Sequence, residues 1–223
     1  MTTNKELIAL ALTNLEEAAD LLLLVQLLAP VAVTPCLITA RTYLRPFALT
    51  DLPLLQALHQ DPQVMRYFHS GPRSTTDSTR HLHELIAHQA QYQFSSWAVF
   101  SQATDEFIGR AGPLVWPETG ALEIGYVLHQ KFWGQGLGTE LARALVQWVF
   151  QHLAIEQIIA VTMPENLASR RVLEKAGLQL QQQLEINGYP AVQYVITRVE
   201  WMRPSINLTS FGTPRLCRAR QGA

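Results

Sequence analysis

The segment Trp133-Gly134-Gln135-Gly136-Leu137-Gly138-Thr139 constrains the fold most. It joins a strand pattern to a helix pattern. Ahead of it, residues 121–128 alternate. Leu122, Ile124, Tyr126 and Leu128 share one face, and Ala121, Glu123, Gly125 and Val127 share the other. Behind it, residues 138–153 set Leu141, Leu145, Trp148 and Val149 in one stripe, as in a helix with one buried face. Three glycines in five positions leave the backbone amides uncovered by side chains. The helix adds unpaired N–H groups and the positive end of its dipole. Such a turn binds phosphate or pyrophosphate, and Thr139 adds a hydroxyl.

Two phosphate-binding loops do not fit. The nucleotide P-loop needs a lysine after its last glycine, and none follows Gly138. The dinucleotide fingerprint needs G-x-G-x-x-G directly after a strand. Here the pattern is G-x-G-x-G, set five residues beyond the strand by 129–133.

The remaining periodicities predict one α/β domain with a mixed, mainly antiparallel sheet flanked by helices. Residues 37–46 read as a strand. Thr50 is the expected cap of a helix to Gln60, and a loop with Asp61-Pro62 and Gly71-Pro72 follows. A second helix starts at Thr76 or Asp77, with Leu82, Leu85, Ile86 and Gln89 at helical spacing. Strands at 96–101, 107–115 and 121–128 form a meander. The strand–helix–strand unit over 121–163 implies a parallel pair. Asn166 caps a short helix to Ala176, and Gly177 supplies its left-handed stop. Asn187-Gly188 marks a hairpin turn, and 191–201 closes the sheet.

Two segments flank this domain at 37–203. Residues 1–36 predict an extra N-terminal helix over about 4–28, ended by Pro30 and Pro35. Its apolar run is interrupted by Gln26 and Pro30, so it falls short of the roughly 20 residues of a membrane span. Glu16, Glu17 and Asp20 precede that run, where a signal peptide has basic residues. Its Leu-rich face suits pairing with a second copy, a route to a homodimer. Residues 204–223 read as a loose polar tail.

Composition sets outer bounds. With 223 residues and a net charge of −1, the chain has no general pull toward nucleic acid or anionic membrane. Cys36 and Cys217 form neither a metal spacing nor a disulfide framework, which points to a reducing cytoplasm. His81, His83 and His88 lack the i, i+4 spacing of a metal pair, so no metal is expected there and a solvated helix face is.

Four segments together carry a resemblance. They are L-I-T-A-R-T-Y-L-R-P-F at 37–47, E-I-G-Y-V-L at 123–128, W-G-Q-G-L-G-T-E at 133–140 and N-L-A-S-R-R-V-L-E-K-A-G-L at 166–178. In this order, over residues 37–201, they resemble the GNAT superfamily branch containing the ribosomal-protein-alanine N-acetyltransferases. The general superfamily pattern has Gln or Arg where this chain has Trp133; the resembled branch commonly has Trp.

The resemblance implies direct transfer of an acetyl group from acetyl-CoA to an amine, either a protein N-terminus or a small amine. Trp133, Gly134, Gln135, Gly136, Leu137, Gly138 and Thr139 would hold the pyrophosphate. In the family the strand over 125–128 splays from its neighbour. Val127, the expected donor, and Leu128 would then offer amides to the pantetheine arm and the thioester carbonyl. Asn166 would add a hydrogen bond, and Ser169 is a candidate acid for the leaving thiolate. The tyrosine used by many relatives falls at Leu173, so it is absent. Glu185, ahead of the hairpin turn, is a candidate for the acceptor site, with Tyr189 and Tyr194 near it. Tyr194 fits core packing better.

Glu123 stands out from the residues themselves. It is the only charge in its strand, and a buried carboxylate needs a partner or a cleft. A general base fits, because an amine must lose its proton to attack a thioester. A structural carboxylate satisfied by backbone or Arg110 fits as well. A CoA-binding module without turnover stays open beside the enzyme.

Overall fold

The computed structural model describes residues 37–116 and 119–203. The expected N-terminal helix, the tail from 204 and both cysteines lie outside the described residues. An eight-stranded sheet has the order β1-β2-β3-β4-β5-β6-β8-β7. Its strands are β1 (Leu37–Ile38), β2 (Thr42–Arg45), β3 (Trp97–Ser101), β4 (Phe107–Val115), β5 (Leu122–Leu128), β6 (Gln157–Thr162), β7 (Gln179–Ile186) and β8 (Tyr189–Thr197). All neighbours are antiparallel except β5 and β6, the parallel pair expected from the strand–helix–strand unit.

Helices cover both faces. α1 (Leu52–Gln60), α2 (Pro62–Met65) and α3 (Thr75–Tyr92) bury Leu55, Leu58, Met65, Leu82 and Leu85 against Ala98, Phe100, Phe107 and Val127. α4 (Leu137–His152) and α5 (Leu167–Lys175) bury Leu141, Leu145, Val149 and Leu173 against Trp97, Ile108, Ile124 and Ile158. A final turn, α6 (Arg198–Trp201), takes the end of the expected last strand. The β5 alternation therefore divides the two cores: Ile124 and Leu128 face α4, and Val127 faces α1–α3.

Several local expectations are corrected. Residues 37–46 are a hairpin, because Thr39 accepts from and donates to Thr42 across a tight turn. Thr50 is not a cap. Asp51 accepts from the Ala48 N–H at 2.8 Å and pairs with Arg45, which shapes a 3-10 turn before α1. Residues 62–65 are a helix, capped by Asp61, which accepts from the Gln63 and Val64 N–H groups. Ser74, not Thr76 or Asp77, caps α3.

The solvated histidine face holds only for His83. His81 is packed against His59, ring centroids 5.3 Å apart. His88 ties two elements, its Nδ1 to the Phe94 carbonyl and its Nε2 accepting from the Val115 N–H at 3.1 Å. No group of three or more metal-ligating side chains gathers among the described residues. No described helix is long and apolar enough to cross a membrane.

Candidate active site

β5 and β6 share a single ladder position, Glu123 opposite Ile159, and then diverge. The divergence opens a cleft of about 630 Å³. Which amides face it follows from parity. In an antiparallel ladder, paired residues alternate between exchanging hydrogen bonds and not. At one end Trp116 N–H donates to Ala121 O, and at the other His129 N–H donates to Ile108 O, both at 2.9 Å. Arg110 and Val127 stand opposite each other at a hydrogen-bonded position of the same register. The Val127 amide is therefore committed to β4. The free amides toward β6 are those of Tyr126 and Leu128. This corrects Val127 as the expected donor and leaves it a wall residue.

The glycine loop continues from there. A 3-10 turn at Gln130–Phe132 brings Trp133 Nε1 to the Leu128 carbonyl at 2.8 Å. Gly134 and Gly136 take φ of +73° and +78°, a conformation that side chains with a Cβ rarely adopt. Gly136 caps α4, whose first amides open to the cleft. Gly138 lets the helix lie close, since a Cβ there would meet Tyr126 and Val172 at 3.5 Å. All the expected loop residues line the cleft except Gln135. Its side chain turns back to the Lys131 carbonyl at 2.8 Å, and its own carbonyl accepts from Arg41 Nη1 at 2.8 Å.

A buried carboxylate clamps this loop to the β1–β2 turn. Glu140 accepts from Thr39 Oγ1 at 2.6 Å, from Arg41 N–H at 2.9 Å and from Arg41 Nε at 2.7 Å. Burial pushes its carboxyl up, but those hydrogen bonds outweigh burial and hold it below the usual range.

α5 forms the opposite lip. Asn166 Oδ1 caps Ser169 N–H at 3.1 Å, and both residues line the cleft. The Ser169 hydroxyl bonds the Tyr126 hydroxyl at 3.0 Å. Burial pushes that phenol up to about 12, against the hydrogen bond it shares with the Ser169 hydroxyl. Tyr126 brings a phenol to α5 from another element, although Leu173 leaves the family position without one. Arg171 and Lys175 also line this lip.

Glu123 sits at the fork on the α1–α3 side. Trp116 Nε1 donates to one oxygen and Val161 N–H, from β6, donates to the other at 3.3 Å. Burial pushes its carboxyl up, opposed by these two donors and by the charge of Arg110. The same wall carries Arg110, Leu114 and residues from 63–68. Glu185 is not brought here. It is exposed on the β7–β8 hairpin opposite Pro190. Tyr189, at the hairpin tip, stacks on His69 at 4.2 Å. Tyr194 is core: fully buried, with its hydroxyl between Arg170 and Glu174 at 3.0 Å each.

A family model described as an acetyltransferase (GNAT) domain matches residues 41–179. The chain is a GNAT acetyltransferase. A curated relative, FsC-acetyl coenzyme A-N(2)-transacetylase of Aspergillus fumigatus, is 32% identical over 76% of this chain and 79% of its own. Among solved structures, aminoglycoside acetyltransferase AAC(6')-Ib in complex with coenzyme A has TM-score 0.62 and 26% identity over 73% of this chain and 98% of its own. The ribosomal L7/L12 alpha-N-protein acetyltransferase RimL has TM-score 0.60 at 20% identity over 71% of this chain and 94% of its own, a likeness of fold alone. This GNAT enzyme is an N-acetyltransferase using acetyl-CoA. Its residues suit that co-substrate: an open loop of amides for the pyrophosphate, two free strand amides beyond it, and Arg171 and Lys175 for further phosphate charge.

Sequence reasoning passed over two of these groups and used a third only as a partner for Glu123. Trp116 gave no signal, since a turn tryptophan has no fixed role. Tyr126 was assigned to a face but not to Ser169. Arg110 did give a signal: it is the only charge in β4, the same argument that singled out Glu123.

Proposed function

We propose that this GNAT enzyme, with residues 37–203 as its catalytic unit, acetylates the primary amine of a small molecule by direct transfer, with Glu123 as the base. The observation that carries this reading is the Glu123 carboxylate at the fork, raised by burial yet open to the cleft. A base of raised pKa is better matched to an ammonium group than an ordinary carboxylate is.

Glu123 takes one proton from the acceptor ammonium, directly or through a water. Bound acetyl-CoA supplies the acetyl group as a thioester. The neutral amine nitrogen bonds to the acetyl carbon, the carbon–sulfur bond breaks with its electron pair going to sulfur, and the second proton lost from nitrogen passes to the thiolate, directly or through water, so that the sulfur leaves as CoA. The Tyr126 and Leu128 amides orient the pantetheine arm and polarise the thioester carbonyl. Asn166 adds a hydrogen bond to the arm, and the Ser169 hydroxyl donates to the departing sulfur. Holding amine and thioester in line supplies much of the acceleration.

Two observations favour a small acceptor over a protein terminus. The Tyr189–His69 stack ties the β7–β8 hairpin to the segment after α2, next to Arg66, Tyr67 and Phe68, which line the cleft. AAC(6')-Ib, solved with kanamycin, acts on a small polyamine and shares 26% identity with this chain. The test is CoA release from acetyl-CoA against small amines and against peptides with free N-termini. Faster turnover of the peptides would overturn the small-acceptor reading. Absence of acetyl-CoA binding would overturn the whole assignment.

A further inference from the structure

Of the three charged residues buried among the described residues, Asp51, Arg110 and Glu140, only Arg110 makes no ion pair. It lies in the middle of β4, only 8% exposed, and its side chain reaches the cleft wall. Its Nε has no hydrogen-bond partner among the described residues. Its one side-chain hydrogen bond among the described residues, from Nη1 to Ser96 Oγ, is long at 3.4 Å. It makes no ion pair among the described residues. A guanidinium taken out of water without an anion is costly, and a folded chain keeps one where something else supplies the anion.

The interior does not supply it. Behind Arg110 lie His59 and His81. Burial, then the charges of Arg110 and Arg73, drive these imidazoles down to about 3 and about 2, so both are neutral. Arg73 adds like charge. Glu123 is the one carboxylate that acts on Arg110, and its hydrogen bonds go to Trp116 and Val161. At the mouth of the same wall, Arg66 lies over the Trp133 ring at 5.4 Å and adds a second guanidinium. Among the described lining residues of the cleft, Glu123 is the only carboxylate. A polycationic acceptor would meet two guanidiniums here and one carboxylate. An acceptor with its own carboxylate would give Arg110 what the protein withholds, and its ammonium would remain for Glu123.

We propose that Arg110 binds a carboxylate of the acceptor, so that the substrate is a small amine of amino-acid type, with amine and carboxylate on one molecule. This rests on the N-acetyltransferase reading above and narrows its substrate class. A buried guanidinium fork matches a carboxylate in a planar, charge-assisted contact that a neutral amide cannot reproduce. A site built around such a contact discriminates strongly against the analogue that lacks it.

The test compares matched pairs in the full-length enzyme: α-, β- and γ-amino acids and lysine, each against its carboxamide, with kanamycin as a polycation. The expected result is a kcat/KM for the best acid about 100-fold above its amide, with kanamycin slower than the acid. In Arg110→Met the acid and amide should become equal, while the thermal midpoint holds or rises, because apolar replacement of an uncompensated buried charge relieves desolvation. Arg110→Lys should keep part of the preference and covers the case in which the methionine variant does not fold. Where no pair turns over, the same compounds are titrated by calorimetry into the CoA-saturated enzyme. Binding of an acid and not its amide supports the proposal. Equal handling of acid and amide, binding of neither, or kanamycin as the best acceptor overturns it and leaves the transferase standing. Failure of acetyl-CoA itself to bind overturns the transferase reading and this one with it.

Discussion

The lip of the cleft that faces α4 and α5 is built mostly from backbone, and the wall that faces α1 to α3 is built mostly from side chains. On the first, the groups proposed to work are the amides of Tyr126 and Leu128, the left-handed glycines and the start of α4. On the second, they are Glu123, Trp116, Arg110 and Arg66. Backbone groups recognise what every acyl-CoA shares. Side chains can be exchanged one at a time without disturbing the ladder. A fold divided in this way keeps one co-substrate and varies its acceptor, which is how one architecture hosts many specificities.

The largest test of that division is Glu123→Gln. The amide is nearly isosteric but has a single acceptor oxygen, so it can accept from Trp116 or from Val161 and not from both, and it cannot take a proton. Turnover at saturating substrates should fall by about 10²–10⁴-fold, with the acetyl-CoA dissociation constant from calorimetry within twofold of wild type. In wild type the carboxyl is raised, so it is protonated and inactive at low pH, and kcat should climb through a value above the ordinary carboxylate range. The variant should lose that limb. A large loss of acetyl-CoA affinity would show that Glu123 serves both walls.

The same division explains what the sequence disclosed. Glycine spacing, strand alternation and the Asn166 cap are local signals, and the backbone wall was legible from them. Val127 failed for a physical reason. Alternation tells which way side chains point, but the free edge of β5 is decided by register with β4, and only Trp116 and His129 reveal that register. The side-chain wall depends on contacts far apart in sequence. His81 looked exposed because α3 is polar around it, and its burial comes from His59 on α1, 22 positions earlier. Glu185 was placed by analogy with a hairpin, and its own hairpin turns it to solvent. Arg110 was readable as a lone charge in an apolar strand and was treated only as a partner for Glu123.

A smaller effect should come from Glu140→Gln, which sharpens the comparison because Glu140 is a side chain that serves the backbone lip. It loses the charge-assisted bonds to Arg41 and Thr39, and stability at neutral pH should drop by about 2 kcal/mol. Its carboxyl is held low in the folded state, so this contribution is present above the unfolded value of about 4.3 and lost as pH falls through the lower folded value. Denaturant titrations at pH 7 and pH 3 should therefore show a larger gap between wild type and variant at pH 7. Acceptor KM should be unchanged.

Gly136→Ala comes next. A Cβ there has room, with Arg41 Nη2 at 3.7 Å, so the cost is conformational. Holding alanine at φ near +78° costs about 1 kcal/mol, and relaxation would tilt the first amides of α4. Acetyl-CoA affinity should weaken about tenfold or less, a range set by that same energy, with kcat nearly unchanged. A fall in kcat with affinity intact would mean the loop positions the reacting carbon and not merely the pyrophosphate.

The smallest effect is expected at Ser169, and it tests the division most directly, because Ser169 is the one hydroxyl on the backbone lip with a proposed chemical part. A thiol with an ordinary pKa near 8.5 leaves as thiolate without much help. The nearby phenol is pushed to about 12, so Tyr126 stays neutral through the working range and is a poor proton source for a sulfur of lower pKa. The pair Ser169–Tyr126 can steady the sulfur by hydrogen bonding without delivering a full proton. Ser169→Ala should then lower kcat only about two- to fivefold, the scale of one neutral hydrogen bond, and leave the pH profile unshifted. A loss beyond about 100-fold, the range of general acid catalysis, with a descending limb removed from the profile, would make Ser169 a true acid. The lip facing α5 would then carry chemistry as well as recognition, and the two sides of the cleft would no longer divide by material.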